Sequence, residues 1–471
     1  MSAVLNTVPA QRLDAAGRAH VDLRAIARLA APLMVTNAVQ ALLNLTDLWF
    51  IGRLSTDAVA AMGAIYWILT CAVLLFGGVG MAVQTFVAQA FGSRRLARAS
   101  QALWNSLWAS LAMAPVFLAL AFAGPWLLHP FGLHPHVEEL ALEYWTPRMG
   151  GAFVGLMAWA AMGFFNGISA VRFTMAVVVV TTVTNAIANQ VFMFELGMGM
   201  KGSAWGTNVA QLVGVTLAMW LFLRGEIGRR YRSALMWRPR FSVIRAQLKV
   251  GLPIGVMTGA DVLGLAMSQM MIAQTSAVGA AATQIVMALT SMAYMPTIGI
   301  ALAGTTLVGQ SIGAGDREWA NRLGNRVIAL CAALMAINAV LLLVVGPWVL
   351  PLFVSSGGPD AAGVVALALV LLWPAATYQV FDGLYFGASF CLRGAGDTRV
   401  TAATALVLSW FFYVPLAHTL IFAPGQGWFE GLPQSGMGAR GGWIALMVYA
   451  ILLGSSMFWR WRVGVWRRVR I

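Results

Sequence analysis

Charged side chains are scarce in this sequence. Only 10% of its 471 residues are Asp, Glu, Lys or Arg, whereas 60% are hydrophobic. Soluble domains carry about 25% charged residues, so this composition excludes an ordinary water-soluble protein. Apolar runs long enough to cross a hydrocarbon core of about 30 Å recur along the whole chain. The sequence therefore predicts a polytopic membrane protein.

Cysteine is rare in the sequence, and nucleotide-binding motifs are absent from it. The three cysteines, Cys71, Cys331 and Cys391, each lie within an apolar run, which predicts neither a disulfide framework nor a metal cluster. No phosphate-cradling motif is found, so we expect energy from an ion gradient and no covalently bound cofactor. The first 28 residues are polar and contain four arginines, unlike a cleavable signal peptide.

Positive charge, by contrast, is abundant and regularly placed. The formal net charge is +14, and of the 30 Lys and Arg residues all but Arg53, Arg148, Lys201 and Arg440 lie in every second gap between apolar runs. Cations spread over short gaps argue against nucleic-acid binding and follow the positive-inside rule. We therefore expect twelve transmembrane helices, with both termini cytoplasmic, in the plasma (inner) membrane of a prokaryote.

A constant spacing of 221 residues indicates that the chain is a duplicated half. Pro32 matches Pro253 and Gln89 matches Gln310 without a gap. Six helices per half is an even number, so the halves should enter the membrane from the same side as parallel repeats.

The predicted fold class is an all-α integral membrane protein built from two six-helix repeats. Its predicted segments are a cytoplasmic N-terminal segment (1–28), an N-terminal lobe (29–223), a basic cytoplasmic linker (224–249), a C-terminal lobe (250–459) and a basic cytoplasmic tail (460–471).

Three acidic residues fall well inside apolar runs: Asp47, Asp261 and Asp382. Burying a carboxylate in hydrocarbon is costly, so such residues are expected to face a wet cavity or a partner. A rise of about 1.5 Å per residue places Asp261 and Asp382 near the midplane and Asp47 in the outer half. Two carboxylates at one depth cannot both stay ionised without a counter-cation, so Asp261 and Asp382 should share a proton or bind an ion such as Na⁺.

Polar residues share helix faces with these acids at steps of three or four residues. The predicted cavity residues are Asn37, Gln40 and Asn44 on the first helix, Asn185 and Asn189 on the fifth, Thr258 on the seventh, and Tyr378 and Tyr385 on the tenth. We therefore predict two polar sites, one in each lobe. The alternative is that each acid is a structural hydrogen-bonding residue between helices.

Several short motifs together resemble the multidrug and toxic compound extrusion (MATE) family over about residues 24–460. They are Pro32, Thr46-Asp47, Phe50-Ile51-Gly52-Arg53-Leu54, Val87-Ala88-Gln89-Ala90-Phe91-Gly92, Gly251-Leu252-Pro253, Val308-Gly309-Gln310 and Cys391-Leu392-Arg393-Gly394-Ala395-Gly396-Asp397-Thr398. The resemblance is to the NorM-type branch and implies a V-shaped two-lobe bundle.

The resemblance also implies roles for individual residues. It implies a coupling-cation site at Asp261 and Asp382, a coupling role for Asp47, and a place for Asn189 in the N-lobe site. Two positions depart from the pattern: Met193 stands where some relatives have Asp, and Asp261 replaces the commoner Glu.

The sequence thus predicts a monomeric antiporter and not an enzyme. It would use Na⁺ or H⁺ to export amphipathic, mostly cationic organic molecules, and its other partner would be membrane lipid. One alternative is a lipid-linked precursor flippase of the same superfamily, which would tend to carry a cationic cavity and extra helices. The other is a GxGD-type intramembrane protease, because Gly394-Ala395-Gly396-Asp397 matches that motif. A simpler role for the motif is a left-handed turn that ends the tenth helix.

Overall fold

Helices make up most of the computed structural model, which describes residues 8–14, 17–353, 360–429 and 431–469. The predicted N-terminal segment (1–28) and tail (460–471) therefore lie partly outside the described residues. Within the described residues, eleven helices are long and apolar enough to cross a membrane, or twelve if one bent pair counts as a single span. The predicted all-α membrane fold is confirmed.

The described residues of the N-terminal half form nine helices, some of which join into one span. They are α1 (Leu23–Gly52), α2 (Thr56–Gly92), α3 (Leu96–Ala112), α4 (Ala114–Phe122), α5 (Gly124–Leu128), α6 (Pro135–Gly150), α7 (Ala152–Gly167), α8 (Val171–Asn189) and α9 (Gly199–Leu223). Helices α6 and α7 form the bent pair, with an angle of 48°. The bend follows Pro147 and falls at Gly150-Gly151, which are the residue types that weaken a helix. A π-helical turn, Gln190–Glu195, continues α8.

The C-terminal half follows a short linker and repeats the pattern. Its elements are α10 (Gly225–Arg230) in the linker, then α11 (Phe241–Thr275), α12 (Ala277–Gly313), α13 (Arg317–Val349), α14 (Ala361–Ala395), α15 (Arg399–Val407), α16 (Val414–Ile421) and α17 (Ala439–Val463). A π-helical segment, Leu408–Tyr413, joins α15 to α16. Four short 3₁₀ turns lie at His129–Phe131, Ser233–Met236, Leu350–Phe353 and Val465–Arg468.

Helix α11 begins at Phe241, so the last nine residues of the predicted linker (224–249) are helical. Arg245 and Lys249 interrupt the apolar pattern, but they are four residues apart and both lie on the exposed face of α11. On the opposite face Gln247 is buried and its amide donates to the carbonyl of Ala102 at 2.7 Å. The helix therefore starts as an amphipathic segment outside the apolar run.

A small hairpin that the sequence did not indicate precedes α1. Strands β1 (Gln11–Leu13) and β2 (Ala19–Val21) pair antiparallel, with Arg12 opposite His20. The indole of Trp319, at the start of α13, donates to the carbonyl of Pro9 at 2.9 Å. This contact fixes the N-terminal segment against the C-terminal half.

The two halves interlock through their first two helices. Helix α1 packs on α12, and α2 packs on α11. Along the second contact the backbones meet, because a Cβ atom at Gly78 would overlap the carbonyl oxygen of Gly251 and the amide nitrogen of Gly255. Glycine therefore sets the distance between the halves at this crossing.

Candidate functional site

A cavity of about 780 Å³ lies between the two halves. Helices α1, α2, α7 and α8 form one side, and α11, α12, α14 and α17 form the other. The predicted site residues in its wall are Asn37, Gln40, Thr258, Asp261, Tyr378, Asp382 and Tyr385. The structure therefore brings together seven residues that the sequence placed on three different helices.

Asp261 on α11 is held by two tyrosines from other helices. The hydroxyl of Tyr385 on α14 donates to Oδ2 at 2.9 Å, and that of Tyr449 on α17 donates to Oδ1 at 2.6 Å. Tyr449 stacks on Tyr413 of the π-helical segment, with ring centroids 4.9 Å apart. Each carboxylate oxygen thus has one fixed donor.

Asp382 on α14 has a separate tyrosine partner. The hydroxyl of Tyr294, on α12, donates to Asp382 Oδ2 at 2.9 Å, and its oxygen lies 2.8 Å from the hydroxyl oxygen of Tyr378. A chain of two hydroxyl groups therefore ends at this carboxylate.

Neither carboxylate has a basic partner. Among the described residues, no Lys, Arg or His nitrogen lies within 4.0 Å of Asp261 or Asp382. Arg393 also lines the cavity, but its guanidinium stacks over the Phe390 ring at 4.4 Å. Two acids against one arginine leave the wall of this confined space with a net negative charge when both acids are ionised, and that charge attracts cations.

The acid of the N-terminal half lies in a different polar cluster. Asp47 Oδ1 accepts from the amide of Asn189 at 2.6 Å, and Oδ2 lies 3.4 Å from the hydroxyl of Thr207. The Asn189 amide also lies 3.5 Å from Asn185 Oδ1. Asn185 and Asn189 have no exposed surface and do not line the central cavity. They lie in the N-terminal half, where the sequence predicted a polar site separate from that of the C-terminal half, and they pack against Asp47.

Asn44 lies neither in the central cavity nor in the polar cluster around Asp47. It is exposed, and it is absent from the wall of the central cavity. Asn44 shares a helix face with Asn37, but it lies seven residues further along α1, or about 10 Å along the axis, beyond the cavity wall. The spacing of the polar residues predicted which face of α1 they share, but it could not show how far the cavity extends along the helix.

Several residues of the two clusters were not predicted from the sequence. They are Tyr294 and Tyr449 in the central cavity and Thr207 and Arg148 near Asp47. One signal was present: tyrosine is rare, with 8 residues against 24 Phe, and a hydroxyl inside an apolar run needs a partner. Five of the eight line the cavity, namely Tyr294, Tyr378, Tyr385, Tyr413 and Tyr449.

Arg148 explains one exception to the charge pattern. It lies on α6, it is only 8% exposed, and its guanidinium donates to Asn208 Oδ1 at 3.2 Å. Its positive charge acts on Asp47. The N-terminal cluster therefore contains a buried cation. In the central cavity the cation is Arg393, whose positive charge acts on Asp261 from beyond ion-pair distance.

The GxGD sequence forms a turn, as predicted. Gly396 caps α14 with φ of 82°, in the left-handed region that favours glycine. Asp397 is 5% exposed and accepts from Arg460 at 2.9 and 3.4 Å. A carboxylate engaged by a guanidinium in this way is a structural ion pair, which argues against the protease alternative.

Hydrogen bonds between the halves close one end of the cavity. From α2, the hydroxyl of Thr85 donates to the carbonyl of Arg393 at 2.9 Å, and the amide of Gln89 donates to the carbonyl of Gly394 at 3.0 Å. Both acceptors lie at the end of α14 in the other half.

The C-terminal half donates equivalent hydrogen bonds to the N-terminal half. From α12, the hydroxyl of Thr306 donates to the carbonyl of Asn166 at 3.0 Å, and the amide of Gln310 donates to that of Gly167 at 2.8 Å. Thr306 and Gln310 are the residues 221 positions after Thr85 and Gln89. The four bonds therefore form a two-fold related clasp, which we call the inter-lobe clasp.

Comparison with known proteins identifies the family. The sequence model of the MatE family matches residues 32–191 and 253–419, which is more than half of the chain. The chain belongs to the MatE family. The two matched ranges correspond to the two halves of this MatE protein and leave the linker unmatched.

Curated relatives match the MatE protein over nearly its full length. The "Probable multidrug resistance protein NorM" of Burkholderia pseudomallei is 30% identical over 444 residues, covering 92% of this chain and 91% of the relative. The protein of the same name from Agrobacterium fabrum is 27% identical over 465 residues and covers 96% of each chain. These relatives place the MatE protein among bacterial multi-span membrane proteins.

Solved structures share the fold. One, described as the outward-facing conformation of a multidrug resistance MATE family transporter, superimposes with a TM-score of 0.81 at 20% identity, covering 93% of this chain and 94% of the other. A transporter of the MOP superfamily from Pyrococcus furiosus gives a TM-score of 0.79 at 19% identity, covering 94% and 96%. The arrangement of the two halves is therefore that of known MATE transporters.

Proposed function

We propose that this MatE protein is an antiporter that exports amphipathic, mostly cationic small molecules in exchange for Na⁺ or H⁺. The observation that carries the proposal is the pair of carboxylates, Asp261 and Asp382. They face one cavity between repeated halves, and no described basic nitrogen lies within 4.0 Å of either. The names of the curated relatives as multidrug resistance proteins support the same function.

Exchange follows from competition for the same negative charge. An organic cation in the cavity is attracted by Asp261 and Asp382, and that attraction disappears when a proton or Na⁺ neutralises the carboxylates. Because the coupling ion and the substrate then favour different states of the cavity, an ion gradient shifts the population between them. Asp47, with Asn185 and Asn189 beside it, would serve as a second coupling-ion site in the N-terminal half.

The remainder of the cavity wall suits flat organic cations of varied shape. It includes Trp67, Trp159, Met287, Phe386 and Phe390. Aromatic faces attract cations, and methionine adapts its packing to irregular ligands. The acids thus supply the charge preference and the apolar wall tolerates different substrates.

The proposed orientation follows from the basic gaps. Both termini would be cytoplasmic in the inner membrane, and the inter-lobe clasp lies at the cytoplasmic end of α2 and α12. The central cavity is formed within one chain, so a monomer would be sufficient for transport.

Binding of ethidium to the purified protein tests the cavity. We expect Asp382→Asn and Asp261→Asn each to weaken binding at least tenfold and to remove its competition by Na⁺ or by acid. The control is Asp57→Asn, because Asp57 is exposed at the start of α2 and should bind as the wild type does. Unchanged ethidium affinity in both cavity variants would overturn the proposal.

A further inference from the structure

A second cavity, of about 1050 Å³, opens on the outer surface of the N-terminal half between α4, α6 and α9. We call it the outer groove. Its apolar wall includes Leu118, Phe122, Trp205 and Leu212, which are between 46% and 74% exposed. The outer groove shares no residue with the central cavity.

Charged residues cluster at one end of the outer groove. This end is lined by three carboxylates and one ammonium, those of Glu138, Glu139, Glu143 and Lys201 respectively. Lys201 Nζ lies 3.1 Å from Glu143 Oε1, and His129 Nδ1 lies 3.6 Å from Glu138 Oε1. Glu139 Oε2 lies 3.8 Å from His136 Nδ1. With both histidines neutral, this end carries a net negative charge and offers one cation, Lys201.

The length of the outer groove matches one leaflet of a bilayer. Lys201 and Leu212 both line it and are eleven residues apart on α9, which corresponds to about 16 Å. Half of a hydrocarbon core of about 30 Å is nearly the same length. With the charged end at the headgroup level, the apolar part of the groove would reach the middle of the membrane.

We propose that the outer groove binds a phospholipid whose headgroup carries a primary ammonium, as in phosphatidylethanolamine. One acyl chain lies along Leu118, Trp205 and Leu212. The ammonium is placed against Glu138 and the phosphate against Lys201, so both charges of the headgroup meet an opposite charge. An anionic headgroup would meet three carboxylates, and a quaternary ammonium has no hydrogen to donate.

This inference goes beyond the transport function and does not depend on it. The proposed orientation of the termini assigns the lipid to the outer leaflet, whereas binding itself depends only on the residues of the groove.

Gly150 offers a way to block the outer groove without disturbing the core. It lines the groove, and a Cβ atom there would meet only Leu118 Cδ2, at 3.9 Å. Gly150→Leu should therefore fill the space that the acyl chain needs. The matched control is Gly63→Leu on α2, because a Cβ at Gly63 meets nothing within 4 Å and Gly63 is exposed elsewhere on the surface.

Native mass spectrometry of the full chain in detergent tests the proposal. The probes are phosphatidylethanolamine, phosphatidylcholine and phosphatidylglycerol with identical acyl chains. We expect one phosphatidylethanolamine per protein to be retained in preference to the other two. Glu138→Gln should reduce this preference about two- to fivefold, the effect of losing one partly exposed ion pair. Gly150→Leu should abolish retention, whereas Gly63→Leu should not.

Two outcomes would overturn the inference. One is equal retention of the three lipids by the wild type, which would show binding without headgroup recognition. The other is undiminished phosphatidylethanolamine retention in Gly150→Leu, which would place the lipid elsewhere on the protein. Ethidium binding serves as a check on folding, since Gly150 lies outside the central cavity and the variants should bind ethidium normally.

Discussion

Tyrosine hydroxyls, not basic side chains, hold the two acids of the central cavity. A hydroxyl can donate to a carboxylate and can also offer a lone pair to a bound ion. Tyr294, Tyr385 and Tyr449 can therefore support Asp261 and Asp382 both when the site is empty and when an ion occupies it. A lysine or arginine in their place would neutralise the site permanently and would compete with the cationic substrate.

Removing one hydroxyl tests this view. Tyr294→Phe leaves the ring but takes away the donor that connects Asp382 to Tyr378. Because the Tyr294 hydroxyl would also offer a lone pair to a Na⁺ ion bound at Asp382, we expect ethidium transport at subsaturating Na⁺ to fall about tenfold. The loss should shrink when the ion is raised to saturation. Transport against ion concentration is the measurement.

Tyr66→Phe is the matched control for that experiment. Tyr66 is 40% exposed on α2, its ring contacts Trp67, and it is not part of the cavity wall. Its substitution should leave the ion dependence unchanged. An equal effect of the two substitutions would contradict a specific role for the Tyr294 hydroxyl.

The sequence predicted the acids of the site better than their partners. Asp47, Asp261 and Asp382 could be found because a carboxylate inside an apolar run is rare and costly. Tyr294 and Tyr449 could not, because a single tyrosine in such a run is also suited to packing or to the membrane interface. Their partners lie 88 and 188 residues away along the chain, so only the fold brings them together.

At the scale of helices, contact between α2 and α11 depends on glycine. Gly78→Ala would place a methyl group on the backbone of Gly251 and Gly255, so the helices would have to separate. Overpacking of this kind destabilises by about 1–3 kcal/mol, and we expect a lower thermal unfolding temperature in detergent.

Gly63→Ala is the control, on the same helix. A Cβ at Gly63 meets nothing within 4 Å, and alanine is the better helix former by about 0.5–1 kcal/mol, so unfolding should shift slightly upward. If both substitutions shifted the unfolding temperature alike, close backbone contact at Gly78 would not be the cause.

The sequence predicted the membrane spans as apolar runs, but it did not predict where helices start outside these runs or where their geometry changes. The start of α11 at Phe241 was missed because its first two turns are amphipathic. The π-helical segment Leu408–Tyr413 was missed because its sequence is as apolar as its surroundings, although it brings Tyr413 to the cavity wall. Hairpin strands of three residues are too short to show an alternating pattern.

At the scale of the whole molecule, duplication supplies the inter-lobe clasp. The 221-residue spacing predicted that Gln89 and Gln310 are equivalent, but it could not show that each binds the backbone of the opposite half. Opening of the cavity at this end requires all four bonds to break, together with those from the Gln84 amide to Leu302 and Thr306 of the other half. Alternating access therefore includes loss of the clasp.

Weakening the clasp should shift the molecule toward the open state at that end. In the double variant Gln89→Leu with Gln310→Leu, three bonds of about 1 kcal/mol each are lost, because the Gln310 amide also donates to Ser169 Oγ at 2.9 Å. The ratio of closed to open molecules then changes by up to roughly 150-fold. Spin labels at the exposed positions Arg98 and Arg326, in a protein lacking Cys71, Cys331 and Cys391, report the separation of the two halves. We expect a new population at longer distance.

The control for the clasp is Gln274→Leu. Gln274 lies near the opposite end of α11 and accepts from the indole of Trp428 at 2.8 Å. Its substitution should leave the label distances as in the otherwise unsubstituted protein. The same distances in the double variant would show that the clasp does not hold this end closed.

Ion-driven efflux of ethidium from proteoliposomes tests the central claim most directly. A Na⁺ gradient and a proton gradient are imposed separately on wild type, Asp382→Asn and Asp57→Asn. Our account predicts that at least one gradient drives efflux by wild type and Asp57→Asn, and that Asp382→Asn abolishes it. Full efflux by Asp382→Asn, or none by the wild type under either gradient, would contradict an ion-coupled antiporter that works through Asp261 and Asp382.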